Sequence, residues 1–321
     1  MMVNSLAEIA QKLHTCRSVL ITSHHAPDGD AIGSILAMGL ALQQLNAAAL
    51  MFSADDVPKR YQFLVGADKI ITHSLPTQDF DCVLALDCAD KNRLQPIWDK
   101  IENKMIINID HHPTNDLFGH LNYVDHTAAA TGELVFALLQ ELGCRLDVAI
   151  AEALYVAIST DTGSFKFAST SARTHRIAAE LLAAGVNPGT LSPLIFDLRS
   201  RAALAVLRQA LAKLSFSADG RIAWIALTDD DMQQAQAAEE DVNGIVNYAK
   251  NIEGVEVGLL FREQADGTTK VGFRAHQTDV GKVAASFGGG GHKLASGCSL
   301  REDLQTAVQK VLAAVSEEIS Q

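Results

Sequence analysis

Four short stretches hold the side chains best able to bind a cation or move a proton. The first is His24-His25-Ala26-Pro27-Asp28-Gly29-Asp30. Pro27 and Gly29 force this loop to turn, so His24, Asp28 and Asp30 can converge. Asp87 closes the apolar run Leu84-Ala85-Leu86, and Asn108-Ile109-Asp110-His111-His112-Pro113 closes another. Ser159-Thr160-Asp161-Thr162-Gly163 follows an apolar helical stretch. Taken singly, each has an ordinary explanation. Asp30 could cap a helix, Asp87 and Asp161 could serve turns, and the paired histidines could sit in a solvated corner. An Asp beside imidazoles could also fix a tautomer. Taken together they say more. If Asp28, Asp30, Asp87 and Asp161 meet, four like charges share a small volume and raise one another's pKa values. Two divalent cations would cancel those charges. Oxygen-rich donors with imidazoles suit manganese or magnesium, with zinc as an alternative. Two such ions, about 3.5–4 Å apart, generate a hydroxide and clamp an in-line displacement at phosphorus. That chemistry is phosphoester hydrolysis.

These residues need elements to bring them together. The patterns predict buried strands over 18–22, 48–52, 82–87 and 105–110, with helices over 31–45 and 58–64 between them. Further helices are expected over 132–142, 147–159 and 172–184, and Gly185-Val186-Asn187-Pro188-Gly189 is a stop signal. The expected fold class is α/β, with a mainly parallel sheet covered by helices on both faces. Ligands bind such sheets at the carboxyl ends of the strands, where the first three stretches lie. The domain boundary is placed at Gly189, giving a first domain over 1–189 and a second over 190–321 that includes a linker. In the second, strands are expected over 221–227, 255–262 and 269–276, the last two joined by the turn Asp266-Gly267. Helices over 241–251, 280–287 and 303–320 complete a smaller α+β domain.

His24-x3-Asp28-x-Asp30, Asp87, Asp110-His111-His112 and Asp161 resemble the ordered motifs of the DHH phosphoesterase superfamily. Gly288-Gly289-Gly290-Gly291-His292-x3-Ser296-Gly297 resembles the glycine-rich signature of the DHH-associated C-terminal domain. Asn247-Tyr248, the run from Glu253 to Val257, and Leu260-Phe261-Arg262-Glu263 look closest to the branch of NrnA-type oligoribonucleases and pAp phosphatases. The resemblance covers nearly the whole chain. It implies that His24 and Asp28 bind one cation, that His111 and Asp161 bind the other with Asp30, and that Asp87 bridges both. Asp110 would orient a histidine, and His112 would face the substrate phosphate as a catalytic group. His25 receives no role. The implied activity is hydrolysis of oligonucleotides a few residues long to mononucleotides, with pAp as a second substrate.

The second domain is expected to grip the substrate. Gly289, Gly290 and Gly291 permit close backbone approach, and successive amides can form an anion-binding nest; the alternative is a flexible linker. Arg274 suits bidentate phosphate recognition, against the alternative of a solvated surface arginine. His292 is a second candidate, with His276 and Lys293 weaker ones. Phe273 and Ala275 stand where members of the branch often carry a small polar residue beside this arginine. Asp90 and Arg93 are expected to pair in support of Asp87, the alternative being that Arg93 touches substrate, and Cys88 reads as a small buried residue. His14, His73, His120, His126 and His175 belong to no constellation.

Composition sets the outer limits. Apolar residues make up 48% of the 321 and charged residues 20%, as in ordinary globular chains. No apolar run reaches the roughly 18 residues of a membrane span, and no secretion signal is evident. Five cysteines without a CxxC pair argue against a disulfide framework and fit the cytoplasm. The net charge is −12; residues 1–189 carry 13 basic and 21 acidic side chains, and residues 190–321 carry 13 and 17. Long duplex nucleic acid is therefore not an expected partner, whereas a short substrate needs no long cationic track. Self-association into a homodimer is left open. Other superfamily activities remain as alternatives: a RecJ-like exonuclease, though no OB-like domain is evident; a cyclic-dinucleotide hydrolase; and a pyrophosphatase or polyphosphatase, expected to lack the GGGGH signature. A non-catalytic nucleotide-binding module is opposed by the complete ligand set. A dinucleotide-dependent dehydrogenase is opposed by the absence of G-x-G-x-x-G from the first strand-to-helix loop.

Overall fold

A computed structural model describes residues 3–95 and 97–320, which divide into two compact units, the first ending at Leu198 and the second beginning at Arg199. In the first unit six strands form one parallel sheet: β1 Ser18–Thr22, β2 Ala48–Ser53, β3 Ile71–Thr72, β4 Cys82–Leu86, β5 Met105–Asp110 and β6 Leu121–Val124, in the order β3-β2-β1-β4-β5-β6. The chain runs outward from β1 in one direction, then returns to β4 and runs outward in the other. The crevice between the carboxyl ends of β1 and β4 is therefore the topological switch point, where open α/β sheets bind ligands.

Strand alternation separates two apolar layers. Val19, Ile21, Cys82, Leu84 and Leu86 face one core, while Leu20, Val83 and Ala85 face the other. The first core is built with helices α1 Leu6–His14, α2 Gly29–Gln44, α4 Thr131–Glu141, α5 Val148–Asp161 and α6 Ala172–Ala183. The second, smaller layer is closed by Phe52, Phe80, Leu94 and the short helix α3 Trp98–Ile101. Helix α2 is apolar on nearly every side because α5 covers the face turned away from the sheet. Gly33 permits that approach: a Cβ there would lie 2.4 Å from the Ala153 carbonyl oxygen. The expected helix over 58–64 does not form; only a single 3-10 turn, Lys59–Tyr61, precedes the left-handed Gly66.

The second unit begins near α8 Arg201–Ala212, after α7 Pro188–Ser192 in the first. Its mixed sheet has the order β11-β12-β10-β9-β8-β7, from β7 Ser215–Phe216, β8 Ile222–Leu227, β9 Val257–Glu263, β10 Thr269–Ala275, β11 Gly290–His292 and β12 Ala295–Leu300. β8 and β9 are parallel and the other pairs antiparallel. Val257, Leu259, Phe261 and Phe273 pack with α11 Val280–Ser286 and α12 Leu304–Ser320. Ile225 and Leu227 pack on the other side with α8 and α10 Ile245–Lys250; α9 Asp229–Ala235 follows β8. The single helix expected over 241–251 is broken. A 3-10 turn, Glu239–Val242, is separated from α10 by Gly244, whose φ of +83° no α-helix accommodates. Among the described residues no helix is long and apolar enough to cross a membrane.

Candidate functional site

β1, β4 and β5 end side by side, and His24, Asp87 and His111 follow them directly. Helix α2 adds Asp28 and Asp30 from its amino end. Helix α5 adds Asp161 as its last residue, so this acid stands at a helix carboxyl end and not in a separate turn. Three groups of donors result, each with ligand atoms within 4.8 Å of one another: His24, Asp28 and Asp87; Asp30, His111 and Asp161; and Asp87, His111 and His112. All six residues expected to bind cations thus lie in one cluster.

The imidazoles are oriented by backbone. His24 Nδ1 lies 2.7 Å from the carbonyl oxygen of His25, leaving Nε2 facing Asp87 Oδ2 at 3.4 Å. His111 Nδ1 lies 3.3 Å from the Ala128 carbonyl oxygen, and its Nε2 is 3.3 Å from Asp161, 3.6 Å from Asp87 and 4.0 Å from Asp30. A histidine tied through one nitrogen to a carbonyl presents the other as a ligand. His112 is held differently. Its Nδ1 is 2.7 Å from Asp110 Oδ1, and Asp110 Oδ2 accepts from Asn115 Nδ2 at 2.7 Å. Asp110 therefore orients His112, not His111.

The charges are strongly interdependent. Burial works against the charged form of Asp87, but the hydrogen bond and charge of His24, joined by His111 and His112, hold its carboxyl down at about 2. Burial, with the charges of Asp87, Asp161 and Asp28, drives Asp30 well above the usual carboxylate range. Burial likewise pushes Asp161 up to about 7, with Asp87 and Asp28 adding to it against the pull of His111. Burial disfavours His112 as a cation, yet Asp110 and then Asp87 raise it to about 9. Asp87 also has a left-handed backbone, φ +54°, fixed by its N–H to the Ile109 carbonyl at 3.0 Å. Such strain tends to persist where function requires it. Ser164 and Phe165, just after Asp161, are left-handed too, and Phe165 is held between Tyr155 and His175.

Several local expectations need correction. Asp28, not Asp30, caps α2, accepting from the backbone N–H groups of Asp30 and Ala31 at 3.0 and 3.1 Å. Asp30 caps α4 instead. Its Oδ2 accepts from Thr131 N–H at 2.6 Å and its Oδ1 from Gly132 N–H at 2.8 Å. The N-cap residue of α4, Ala130, has no side chain to do so. Asp90 and Arg93 make no ion pair among the described residues. Asp90 caps its own turn through the Asn92 N–H, and the Arg93 carbonyl oxygen accepts the backbone N–H of His25 at 3.0 Å and lies 3.3 Å from its ring Nδ1. Residues missed from sequence include Thr131, whose hydroxyl donates to Asp87 Oδ1 at 3.1 Å, and Asn115, which also donates to Asn108 at 2.9 Å. The buried Cys88 thiol is pushed up to about 12, which suits packing and not redox chemistry.

The second unit contains a cleft of about 580 Å³, lined on its polar side by Arg262, Lys270, Arg274 and Glu239. Glu239 pairs with Arg262 and lies 3.3 Å from Lys270. Arg274 has no carboxylate partner among the described residues; Nη1 donates to the Phe273 carbonyl at 2.8 Å. Burial lowers its pKa, a cost that an anion would relieve. Gly288 and Gly289 line the cleft, whereas Gly290, Gly291 and His292 form the exposed edge strand β11 outside that lining. The glycine run is therefore neither a linker nor a continuous nest. A Cβ at Gly289 would lie 2.2 Å from the Gly297 carbonyl, and one at Gly291 2.6 Å from that of Ala295. Both glycines serve close strand packing. His276 and Lys293 are exposed, and His276 Nε2 contacts the Lys250 carbonyl at 3.3 Å.

The donor set suits divalent cations. It combines four carboxylates with imidazoles already turned by carbonyls, and among the described residues the ion-pair partners of these carboxylates are histidines, not Lys or Arg. Comparison with known proteins agrees with the arrangement. Residues 18–158 match the family model "DHH family, N-terminal domain", and residues 219–321 match "DHHA1 domain". The bifunctional oligoribonuclease and PAP phosphatase NrnA of Thermus thermophilus is 34% identical over 307 residues, covering 94% of this chain and 90% of that protein. The protein of the same name from Bacillus subtilis is 26% identical, covering 91% and 92%. Among solved structures, an exopolyphosphatase-related protein from Bacteroides fragilis superposes with a TM-score of 0.92 at 24% identity, covering 97% of this chain and 96% of that one.

Proposed function

The chain belongs to the DHH phosphoesterase family, and on that premise we propose that it is a cation-dependent hydrolase of oligoribonucleotides a few residues long and of pAp. The observation carrying this reading is the pair of donor groups His24–Asp28–Asp87 and Asp30–His111–Asp161, adjacent at one sheet edge. Two divalent cations, most simply Mn²⁺, would be held by these six residues, with Asp87 serving both. When bound, they supply positive charge to the phosphate and lower the pKa of water.

The protein's own groups have separate tasks. Asp110 and Asn115 fix the ring of His112, whose Nε2 makes no hydrogen bond to a described residue. Asp110 favours the protonated ring of His112, which would offer its proton to the phosphate or the leaving oxygen. Arg274 offers a planar pair of donors to a phosphate in the cleft of the second unit, beside Gly288 and Gly289. In this reading residues 1–189 are catalytic and residues 190–321 bind substrate. A cation cluster and one small basic cleft suit a short substrate, as does the net charge of −12. A cytoplasmic place of action fits five free cysteines.

The test is hydrolysis, with and without Mn²⁺, of a dinucleotide, a pentamer, a long single strand, pAp, cyclic dinucleotides, pyrophosphate and polyphosphate. Mn²⁺-dependent cleavage favouring the two short oligonucleotides, together with pAp, is expected. Activity confined to pyrophosphate or polyphosphate would keep the cation chemistry and overturn the substrate. Inactivity on the whole panel would overturn the enzymatic reading.

A further inference from the structure

Building on the two-cation reading, we propose that Thr131 is a positioning residue that sets the spacing of Asp30 and Asp87 and so couples the two cation sites. Thr131 is fully buried at the first turn of α4. Its backbone N–H donates to Asp30 Oδ2 at 2.6 Å, and its hydroxyl donates to Asp87 Oδ1 at 3.1 Å. Among the described residues it is the one that hydrogen-bonds to both. Those two acids come from different elements, α2 and the end of β4, and repel each other at close range. Nothing along the chain fixes their separation.

Thr131 can fix it because both donors sit on one stiff residue. A β-branched side chain has few χ1 options, so the hydroxyl direction is set relative to the backbone N–H. The residue is itself anchored at the start of an 11-residue helix packed in the core. Asp87 is otherwise approached by His24 on one oxygen and by His111 and His112 on the other. His24 and His111 would turn toward cations once these bind, while His112 stays paired with Asp110. The Thr131 hydroxyl remains as the contact that does not itself ligate, and it keeps the Asp87 carboxylate plane from rotating. Groups that orient a ligating carboxylate typically change cation affinity by about 10–100-fold.

The test uses the full chain and reads binding, not turnover. Mn²⁺ is titrated calorimetrically into unaltered protein, Thr131→Val and Thr131→Ser, and electron paramagnetic resonance follows exchange coupling between paired ions. Thr131→Val keeps the N–H that caps on Asp30 and removes only the hydroxyl. Its second Mn²⁺ should bind about 10–100-fold more weakly, with loss of the coupled signal at concentrations that saturate the unaltered protein. Thr131→Ser, which keeps the hydroxyl on a less restricted side chain, should recover most of the affinity and the coupled signal. A purely structural threonine would lower thermal stability and leave affinity and coupling alone, so unchanged binding in Thr131→Val overturns the proposal. If Thr131→Val does not fold, Thr131→Ala against Thr131→Ser makes the same comparison, and equal affinities overturn it. Failure of the unaltered protein to bind a second Mn²⁺ is a different result: it refutes the two-cation reading itself.

Discussion

Asp30 performs two tasks that one pair of substitutions can separate. Its carboxylate accepts the Thr131 and Gly132 N–H groups and the Ser34 hydroxyl, the last at 3.2 Å, all in a buried setting. Asp30→Ala leaves two buried backbone donors without partners, each costing about 1–3 kcal/mol. Against this stands the repulsion removed with the acid, since Asp87, Asp161 and Asp28 all raise its pKa. A raised pKa means that protonation already relieves much of that repulsion, while a neutral carboxyl still accepts through its carbonyl oxygen. The hydrogen-bond loss should therefore prevail, and Asp30→Ala should destabilise the cation-free protein by about 2–4 kcal/mol, in line with loss of a strong helix cap. Asp30→Asn keeps one acceptor for two donors and should lose about half as much. Urea unfolding in the presence of a chelator measures both. Both variants should also lose cation affinity, which calorimetry reads separately. Asp30→Ala at least as stable as the unaltered chain, or indistinguishable from Asp30→Asn, would refute the assignment of Asp30 as the cap of α4.

Three further outcomes are expected. Arg274→Ala should raise KM for short oligonucleotides more than it lowers kcat, because the arginine binds and does not react; an unchanged KM removes it from the binding site. Without cations, thermal stability should fall as pH rises from 6 to 8.5. Asp161, ordinarily near 3.8, titrates at about 7 in the folded chain, so the stability it contributes is complete below 3.8 and lost by about 7. His112, ordinarily near 6.5, extends that loss to about 9, while Asp87, held at about 2, contributes nothing variable in this window. Saturating Mg²⁺ should flatten the slope, and a rise in stability with pH for the cation-free protein would contradict the cluster's electrostatics. Gly289→Ala should destabilise the second unit by about 1–3 kcal/mol through its clash with Gly297 and Cys298, whereas Gly290→Ala, with open space around it, should cost less. Equal unfolding midpoints for these two variants would refute the packing role of Gly289.

What could be read from sequence follows from how local each cause is. The strands at 18–22 and 105–110 announce themselves because both faces are buried and their middles, Val19-Leu20-Ile21 and Ile106-Ile107, are wholly apolar. The residues after them are noticeable because their chemistry is wrong for a core. Segments where tertiary contacts decide are less legible: residues 58–64 show helical spacing, yet Tyr61 and Leu64 are buried from a single turn. The glycine run stands out in sequence, but sequence does not disclose the close approach of Gly289 and Gly291 to the β12 backbone. Thr131 marks the limit most clearly. In Ala129-Ala130-Thr131-Gly132-Glu133 a sequence rule would make the threonine a helix cap. In the fold Thr131 is already the first helical residue, its hydroxyl reaches Asp87, 44 residues earlier, and the cap comes from Asp30, 101 residues earlier. The clue available in sequence was that a helix preceded by two alanines must find its cap elsewhere. An acid placed to provide it at a distance both caps the helix and belongs to the cluster, which is why the amino end of α4 and the carboxylates at the strand ends form one structural unit.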